Sequence, residues 1–321
     1  MISYYVHQDG KTRCVDVLDP AWLAPDSGVP LWADVREPTA QDAEVLHSVF
    51  KFHPLAIEDA LMSVHLPKIE TYDNVLYAVL HGIDFHLEEH AFETLDVDFF
   101  LTKTLLVTVH DGKRRSIAEV AATCQQNHAI LGEGPVALMH RIIDNMVEHY
   151  RPEVDELEEW LDEIEKRVLE NDREELTGDI LAVKRDISSL RRVVIPQRDI
   201  VGRLARREFD LINQEMAYRF RDVYDQLVRL ADEAIIFQDR VTGILDAHLA
   251  SISNRLAMVS KVLAALAVIF GPLTIITGLF GMNVKLPVFP GGDAAQFWWV
   301  FLGMISITAT LYAVFKRRDW L

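Results

Sequence analysis

Two stretches near the end of the chain, Val262 to Phe280 (VLAALAVIFGPLTIITGLF) and Phe297 to Phe315 (FWWVFLGMISITATLYAVF), each run 19 residues without a charge. About 20 apolar residues at 1.5 Å rise cross a hydrocarbon core of about 30 Å, and a helix satisfies its own backbone where water is absent. The pair, joined by a link of 16 residues, predicts a transmembrane hairpin, with buried core helices as the soluble alternative. Lys316, Arg317 and Arg318 follow the second span and Lys261 precedes the first. The positive-inside rule therefore puts both ends, and everything before them, on the cytoplasmic side, with Lys285 a minor exception on the far side. Trp298, Trp299 and Tyr312 near the ends of the second span suit interfacial anchoring.

Charge separates this tail from the rest. The whole chain of 321 residues carries −17, but the last 66 carry five basic and two acidic side chains, +3, which leaves −20 on the first 255. A strongly acidic body argues against nucleic acid, whose phosphates need clustered Lys and Arg, and is compatible with divalent cations. The polar start MISYYVHQDGKTRC has no apolar core of a signal peptide, so insertion is expected to rely on the late spans. Cys14 and Cys124 are the only cysteines and form no C-x-x-C pair, which suggests reduced thiols and no zinc finger. No P-loop, G-x-G-x-x-G, H-E-x-x-H or G-x-S-x-G occurs, so an enzyme is not expected.

Up to about Pro135 the pattern is α/β. Ile2 to Val6, Val29 to Asp34, Val75 to Ile83, Leu95 to Leu101 and Thr104 to His110 read as strands, and Gln41 to Phe50 (behind Thr39 as N-cap) and Pro54 to Leu61 as helices. Lys103-Thr104 suggests a tight hairpin. From Val136 the signal is helical. Between Glu153 and Glu175 stand twelve acidic residues against three basic ones, with Leu157, Leu161, Ile164 and Val168 on one face. A second helix is expected from about Gly178 to Arg207. A third begins near Asn213, with apolar residues at Phe220, Val223, Leu227, Leu230, Ala234, Val241, Leu245, Ile252 and Leu256. That period is the seam of a coiled coil or bundle. With no proline before Pro272, one helix of about 65 residues could run from this seam into the first span, roughly 100 Å at 1.5 Å per residue.

The first span ends in Gly278-Leu279-Phe280-Gly281-Met282-Asn283. Two glycines allow the backbone to leave the helix, and Asn supplies an uncharged oxygen. Several such oxygens around an axis would suit a hard cation that keeps its water shell, as Mg2+ does. Spacing alone favours an ordinary helix terminator. With Val259-Ser260-Lys261, Gly271-Pro272-Leu273-Thr274, the Ile276 to Asn283 segment and the basic Trp-Leu terminus from Lys316 to Leu321, however, the chain resembles the CorA family of divalent-cation channels. Upstream, His65-Leu66-Pro67-Lys68-Ile69-Glu70 and Phe220-Arg221-Asp222-Val223-Tyr224-Asp225 look like family segments too.

The resemblance implies an α+β cytoplasmic domain, long stalk helices and two C-terminal transmembrane helices, assembled as a funnel-shaped homopentamer in the bacterial inner membrane, with both termini cytoplasmic. The corresponding segments are 1–135 (α/β), 136–212 (acidic antiparallel helices), 213–261 (stalk helix), 262–283 (pore-lining span), 284–296 (periplasmic loop), 297–315 (second span) and 316–321 (basic tail). It implies a selectivity filter at Gly281, Met282 and Asn283, and pore positions Ser260, Leu263, Gly271 and Thr274, with Leu263 as a hydrophobic gate. It implies a regulatory Mg2+ site between subunits at Asp222, with Asp84 or His86 as partner. Transported Mg2+, with Co2+, Ni2+ or Zn2+ as other candidate ions, is the expected cargo. The chain departs from the family pattern at Phe280, often Tyr, at Ala257, often Asn (Asn254 lies one turn earlier), and in the loop Val284 to Asp293, often acidic. Copies of Lys285 at the mouth would repel cations, so that electrostatic concentration rests on Asp293 or is absent. Two other readings stand beside this one. One is a ZntB-like zinc transporter, with or without proton coupling, using His81, His86 and His90 with Glu88 and Glu89, against which these histidines read as a surface turn. The other is a membrane-anchored coiled-coil scaffold.

Overall fold

The computed structural model describes residues 1–24, 27–62, 66–86, 91–112, 115–170, 176–282, 292–318 and 320, and divides into two units, Met1–Leu245 and Asp246–Leu321. In the first unit Asp9 and Gly10, both with positive φ (54° and 72°), turn β1 (Ile2–Gln8) back onto β2 (Lys11–Val15). Asp-Gly is the pair that such a two-residue hairpin favours. A short 3-10 turn at Pro20–Leu23 leads to β3 (Leu31–Arg36) and then to α1 (Ala40–Ser48). Thr39 and Asp42 cap α1 reciprocally, the Thr39 N–H donating to Asp42 at 2.9 Å and the Asp42 N–H to the Thr39 hydroxyl at 3.3 Å. Next come α2 (Pro54–Leu61), β4 (Lys68–Tyr72), β5 (Val75–His86), β6 (Ala91–Leu101) and β7 (Leu105–His110). Asp73, at φ 51°, turns β4 into β5, and the expected hairpin at Lys103-Thr104 joins β6 to β7.

These strands make one sheet in the order β2-β1-β3-β7-β6-β5-β4, antiparallel except for the parallel pair β3–β7. Alternate residues feed two cores. Tyr77, Val79, Phe100, Val107 and Val109 pack with Leu46, Phe50, Phe52, Ala56 and Ile57 of α1, α2 and the turn between them. Leu76, Ala78, Leu80, Phe99 and Leu106 pack with the helices that follow: α3 (Arg115–Gln126), α4 (Ala129–Gly132), α5 (Pro135–Glu148), α6 (Tyr150–Leu169), α7 (Thr177–Ala205) and the first part of α8 (Gln214–Phe280). Burial on both faces is why LLVTVH of β7 reads as a continuous run rather than an alternation.

The expected face of α6, with Leu157, Leu161, Ile164 and Val168, is buried, and so is the upper seam of α8 from Phe220 to Val241. Arg240 of α8 holds α6 through Asp162 (2.6 Å) and Glu165 (2.5 Å), and Arg151 holds Glu233 at 2.8 Å. The acidic face of α6 is thus partly neutralised by its own neighbour.

The second unit contains the rest of α8 and α9 (Gly292–Arg317). The most apolar windows of these two helices are 6% and 0% buried. A core helix of a soluble single chain would be covered; these two are not, and a membrane is a solvent that suits such surfaces.

Candidate functional site

α8 passes through Pro272 without a break. Proline cannot donate to the carbonyl four residues back, which frees the Val268 oxygen from its helical partner. Below the helix end, hydroxyls turn inward to their own backbone: Thr274 donates to the Phe270 oxygen at 2.9 Å, and Thr277 to the Leu273 and Thr274 oxygens at 3.0 and 3.1 Å. The helix stops at Phe280 because the next bonds tighten. The Gly281 N–H still donates to the Thr277 oxygen at 2.9 Å, but the Met282 N–H turns to Leu279, three residues back, at 3.4 Å. A Cβ at position 281 would stand 3.0 Å from that same Thr277 oxygen. Glycine is therefore the residue that lets the last turn close this tightly. Asn283, which follows, lies outside the described residues, as do Val284 to Gly291 with Lys285, and the side chain of Asp293.

The residues expected to face a pore share one side of the helix. At 100° per residue, Ser260, Leu263, Gly271, Thr274 and Gly281 fall within roughly 80° of one another. Ser260, Leu263 and Thr274 are exposed in the single chain. On the opposite side Ile269, Leu273 and Ile276 line grooves against Trp299, Phe301, Met304 and Ile307 of α9. α9 thus backs one side of α8 and leaves Ser260, Leu263 and Thr274 exposed, while Gly271 is half-buried and Gly281 lines a groove against α9 with Thr277 and Phe280.

The expected regulatory residues are less completely placed. Asp222 is exposed on α8. Asp84 and His86 stand on β5 opposite Glu93 and Ala91 of β6. Their side chains lie outside the described residues, as do Glu88, Glu89 and His90. His81 corrects the sequence reading, since it is not on a surface turn. It is 2% exposed, its Nδ1 lies 2.5 Å from Asp96 Oδ1 without the alignment of a hydrogen bond, and its backbone is tied into the helical layer. Pairing of β4 with β5 ends at Val79, so the outer edge of His81 finds no strand. Side chains replace it: the His81 N–H donates to Gln197 Oε1 at 2.6 Å, Tyr150 donates to the His81 carbonyl, and Gln197 donates to the Tyr150 oxygen at 2.8 Å. Among the described residues no three His, Cys, Asp or Glu side chains group to hold a metal.

Among the described residues three buried carboxylates escaped the sequence reading, Asp34, Asp98 and Asp186, the first two of them in the sheet. On the side of the sheet facing α3 to α8, Asp34 accepts from Thr108 (2.8 Å), His110 Nε2 (3.0 Å) and Arg36 (2.9 Å), and Trp32 donates to Thr108 at 3.0 Å. Burial pushes its pKa up, but the bonds from His110, Arg36 and Thr108 outweigh this and hold it below the usual carboxylate range. On the other side Asp98 accepts from the Tyr77 hydroxyl at 2.5 Å, under a Tyr77 ring that Lys68 approaches to 5.4 Å from its centroid. Burial pushes Asp98 up to about 7, with the nearby Asp96 adding to the rise and the Tyr77 bond opposing it. A charged residue inside an apolar run, as in LWADVR and LDVDFFL, was the available signal.

Comparison with known proteins places these features in a family. The family model described as CorA-like Mg2+ transporter protein matches residues 27–317. The cobalt/magnesium transport protein CorA of Thermotoga maritima is 30% identical over 324 residues, covering 100% of this chain and 92% of its own length. The zinc transport protein ZntB of Pectobacterium carotovorum is 24% identical over 314 residues, covering 97% and 91%. Among solved structures, the complete CorA magnesium transporter from Methanocaldococcus jannaschii matches with a TM-score of 0.84 at 19% identity, over 100% of this chain and 99% of that one. At that identity the likeness is one of fold.

Proposed function

The chain belongs to the CorA-like Mg2+ transporter family, and from that premise we propose that it is a homopentameric channel carrying Mg2+, and also Co2+ or Ni2+, across the bacterial inner membrane. The observation that carries this reading is one side of α8 on which Ser260, Leu263 and Thr274 stand exposed in the single chain and Gly271 is half-buried, ending at the tight Gly281 turn, where α8 meets a groove against α9. Five such faces around an axis would make a narrow path. The exposed Thr274 hydroxyl already bonds to its own helix, which leaves that wall weakly binding. A hydrated divalent ion, reluctant to lose its water, would pass such walls more readily than a bare one.

In this reading Gly281, Met282 and Asn283 form the outer filter, where the Asn283 amide and the Gly281 carbonyl contact the ion's water. The Leu263 ring closes by dewetting. Both termini and the acidic first unit lie in the cytoplasm, with residues 284–296 outside. Mg2+ held between subunits at Asp222, with Asp84 or His86, offsets repulsion among the acidic bodies and keeps the pore shut. When internal Mg2+ falls, that repulsion loosens the assembly, and ions enter down a membrane potential worth about 2.3 kcal/mol per charge per 100 mV.

Ion flux into liposomes containing the purified protein tests this directly. Asn283→Ala is expected to abolish selective Mg2+ uptake while the assembly keeps its mass, and retained uptake would remove Asn283 from the filter. Asp222→Ala is expected to leave conduction intact and weaken its inhibition by internal Mg2+; unchanged inhibition would count against that site. Comparing Mg2+, Co2+, Ni2+ and Zn2+, with and without a proton gradient, decides between this reading and a proton-coupled zinc transporter, to which the 24% identity to ZntB lends support.

A further inference from the structure

The last described residue of the tail is folded back rather than frayed. The Trp320 N–H donates to the Phe315 carbonyl at 2.9 Å, and its indole stacks on the Phe315 ring at a centroid distance of 5.6 Å and 17° between planes. Trp320 also meets a cation from the other span: Lys261 Nζ lies 5.9 Å from the ring centroid. An ammonium within about 6 Å of an indole centroid is attracted by the ring's quadrupole, most strongly when the pair is shielded from water. Lys261 is the last charge before the first apolar stretch, one residue after Ser260 and two before Leu263. A ring fixed at the end of α9 therefore grips α8 beside the proposed gate.

We propose that Trp320 and Lys261 form a latch that sets the position of the lower end of α8 and so the internal Mg2+ level at which the pore closes. The latch rests on the reading of α8 as the pore-lining helix. Both are positioning residues, since neither lies on the stripe that would meet the ion. Their attraction is short-ranged and belongs to the pair, so removing either partner removes the same contact. The rival role for Trp320 is that of an interfacial anchor, as tryptophans at membrane edges commonly are. An anchor would act through lipid and would not depend on what stands at position 261.

The two roles separate in a double-mutant cycle on the full chain in liposomes, reading the internal Mg2+ concentration that halves Mg2+ flux. Trp320→Leu and Lys261→Gln are each expected to displace that concentration in the same direction by about two- to five-fold, the range such a contact supports. The double variant is expected to move no further than the larger single change. Trp320→Phe and Lys261→Arg, which keep a ring and a cation, are expected to stay within about two-fold of the unaltered protein. Additive shifts, or no shift in either single variant, would overturn the latch. If Trp320→Leu fails to assemble, the contrast between Lys261→Gln and Lys261→Arg decides in its place: equal behaviour of the two overturns the proposal. Absence of Mg2+ flux in the unaltered protein would instead break the transport reading itself, which keeps the two failures apart.

Discussion

α8 is one helix with two surfaces. In its upper part Phe220, Val223, Leu227 and Val241 are 0% exposed, each seated among α6, α7 and neighbouring layers of the first unit. Further down, side chains of the same kind at similar spacing stand open: Leu256 is 63% exposed, Leu263 61% and Ile275 72%. Apolar residues of the same kind recur along the helix, but above Lys261 they alternate with charges and below it they do not, and what covers them differs too. The upper seam is satisfied within its own chain. The lower one needs lipid or further copies, because a soluble surface does not carry so many contiguous apolar groups.

The sharpest way to break this comparison is to truncate one residue from each part. Phe220→Ala should cost about 3–5 kcal/mol in the first unit, as loss of a fully buried ring does. Leu256→Ala should leave that unit within about 0.5 kcal/mol yet weaken association of the solubilised assembly. Hydrogen exchange of the full chain in detergent reads the first quantity and mass measurement of the complex the second. Equal losses of fold stability would mean that Leu256 is covered within its own chain.

A smaller effect tests how the first unit closes a sheet edge that has no strand partner. Gln197→Leu would leave the His81 N–H without its acceptor and the Tyr150 hydroxyl without its donor, at about 1–3 kcal/mol. The same exchange experiment should show faster opening of β5 near His81, and unaltered protection there would place the closure elsewhere.

The smallest effect distinguishes the two sides of the sheet by pH. Asp98 has its value raised to about 7, so the folded chain binds that proton more tightly than the unfolded one. Its contribution is fully present below the ordinary carboxylate range near 4 and is lost as pH rises through about 7. Asp34, held low by its partners, does the opposite: its contribution is present above that range and lost as pH falls through its depressed value. Asp98→Asn should therefore flatten the fall in stability of the first unit between about pH 4 and 7. An unchanged slope in denaturant titrations across that window would show that Asp98 is not the group responsible.

Much of this molecule was legible because the signals were local. Among the described residues, five of seven strands, the two helices α1 and α2 with the Thr39 cap, and the long helix followed from runs, caps and the absence of proline. The two missed strands, β2 and β4, are short and polar, and each is joined to its neighbour by a turn with positive φ, at Asp9-Gly10 and at Asp73. The Asp-Gly pair was readable as a hairpin signal; the Asp73 turn was less so, because no glycine marks it. His81 was misread as a surface residue for a different reason. Whether a histidine in a strand faces water depends on which helices cover that strand, and α6 and α7 lie about 70 to 115 residues further on.

The sequence by itself determined the two apolar spans, the sign and distribution of charge, and the Gly281-Met282 end of the first span. Each depends only on neighbours within a helical turn or on simple sums along the chain. Tertiary structure decided which apolar residues are covered, that α9 backs one side of the lower part of α8, that Asp34 and Asp98 take opposite protonation tendencies, and that Trp320 reaches Lys261. Those outcomes depend on contacts between residues far apart in the chain, and burial, desolvation and pairing arise only once such contacts exist.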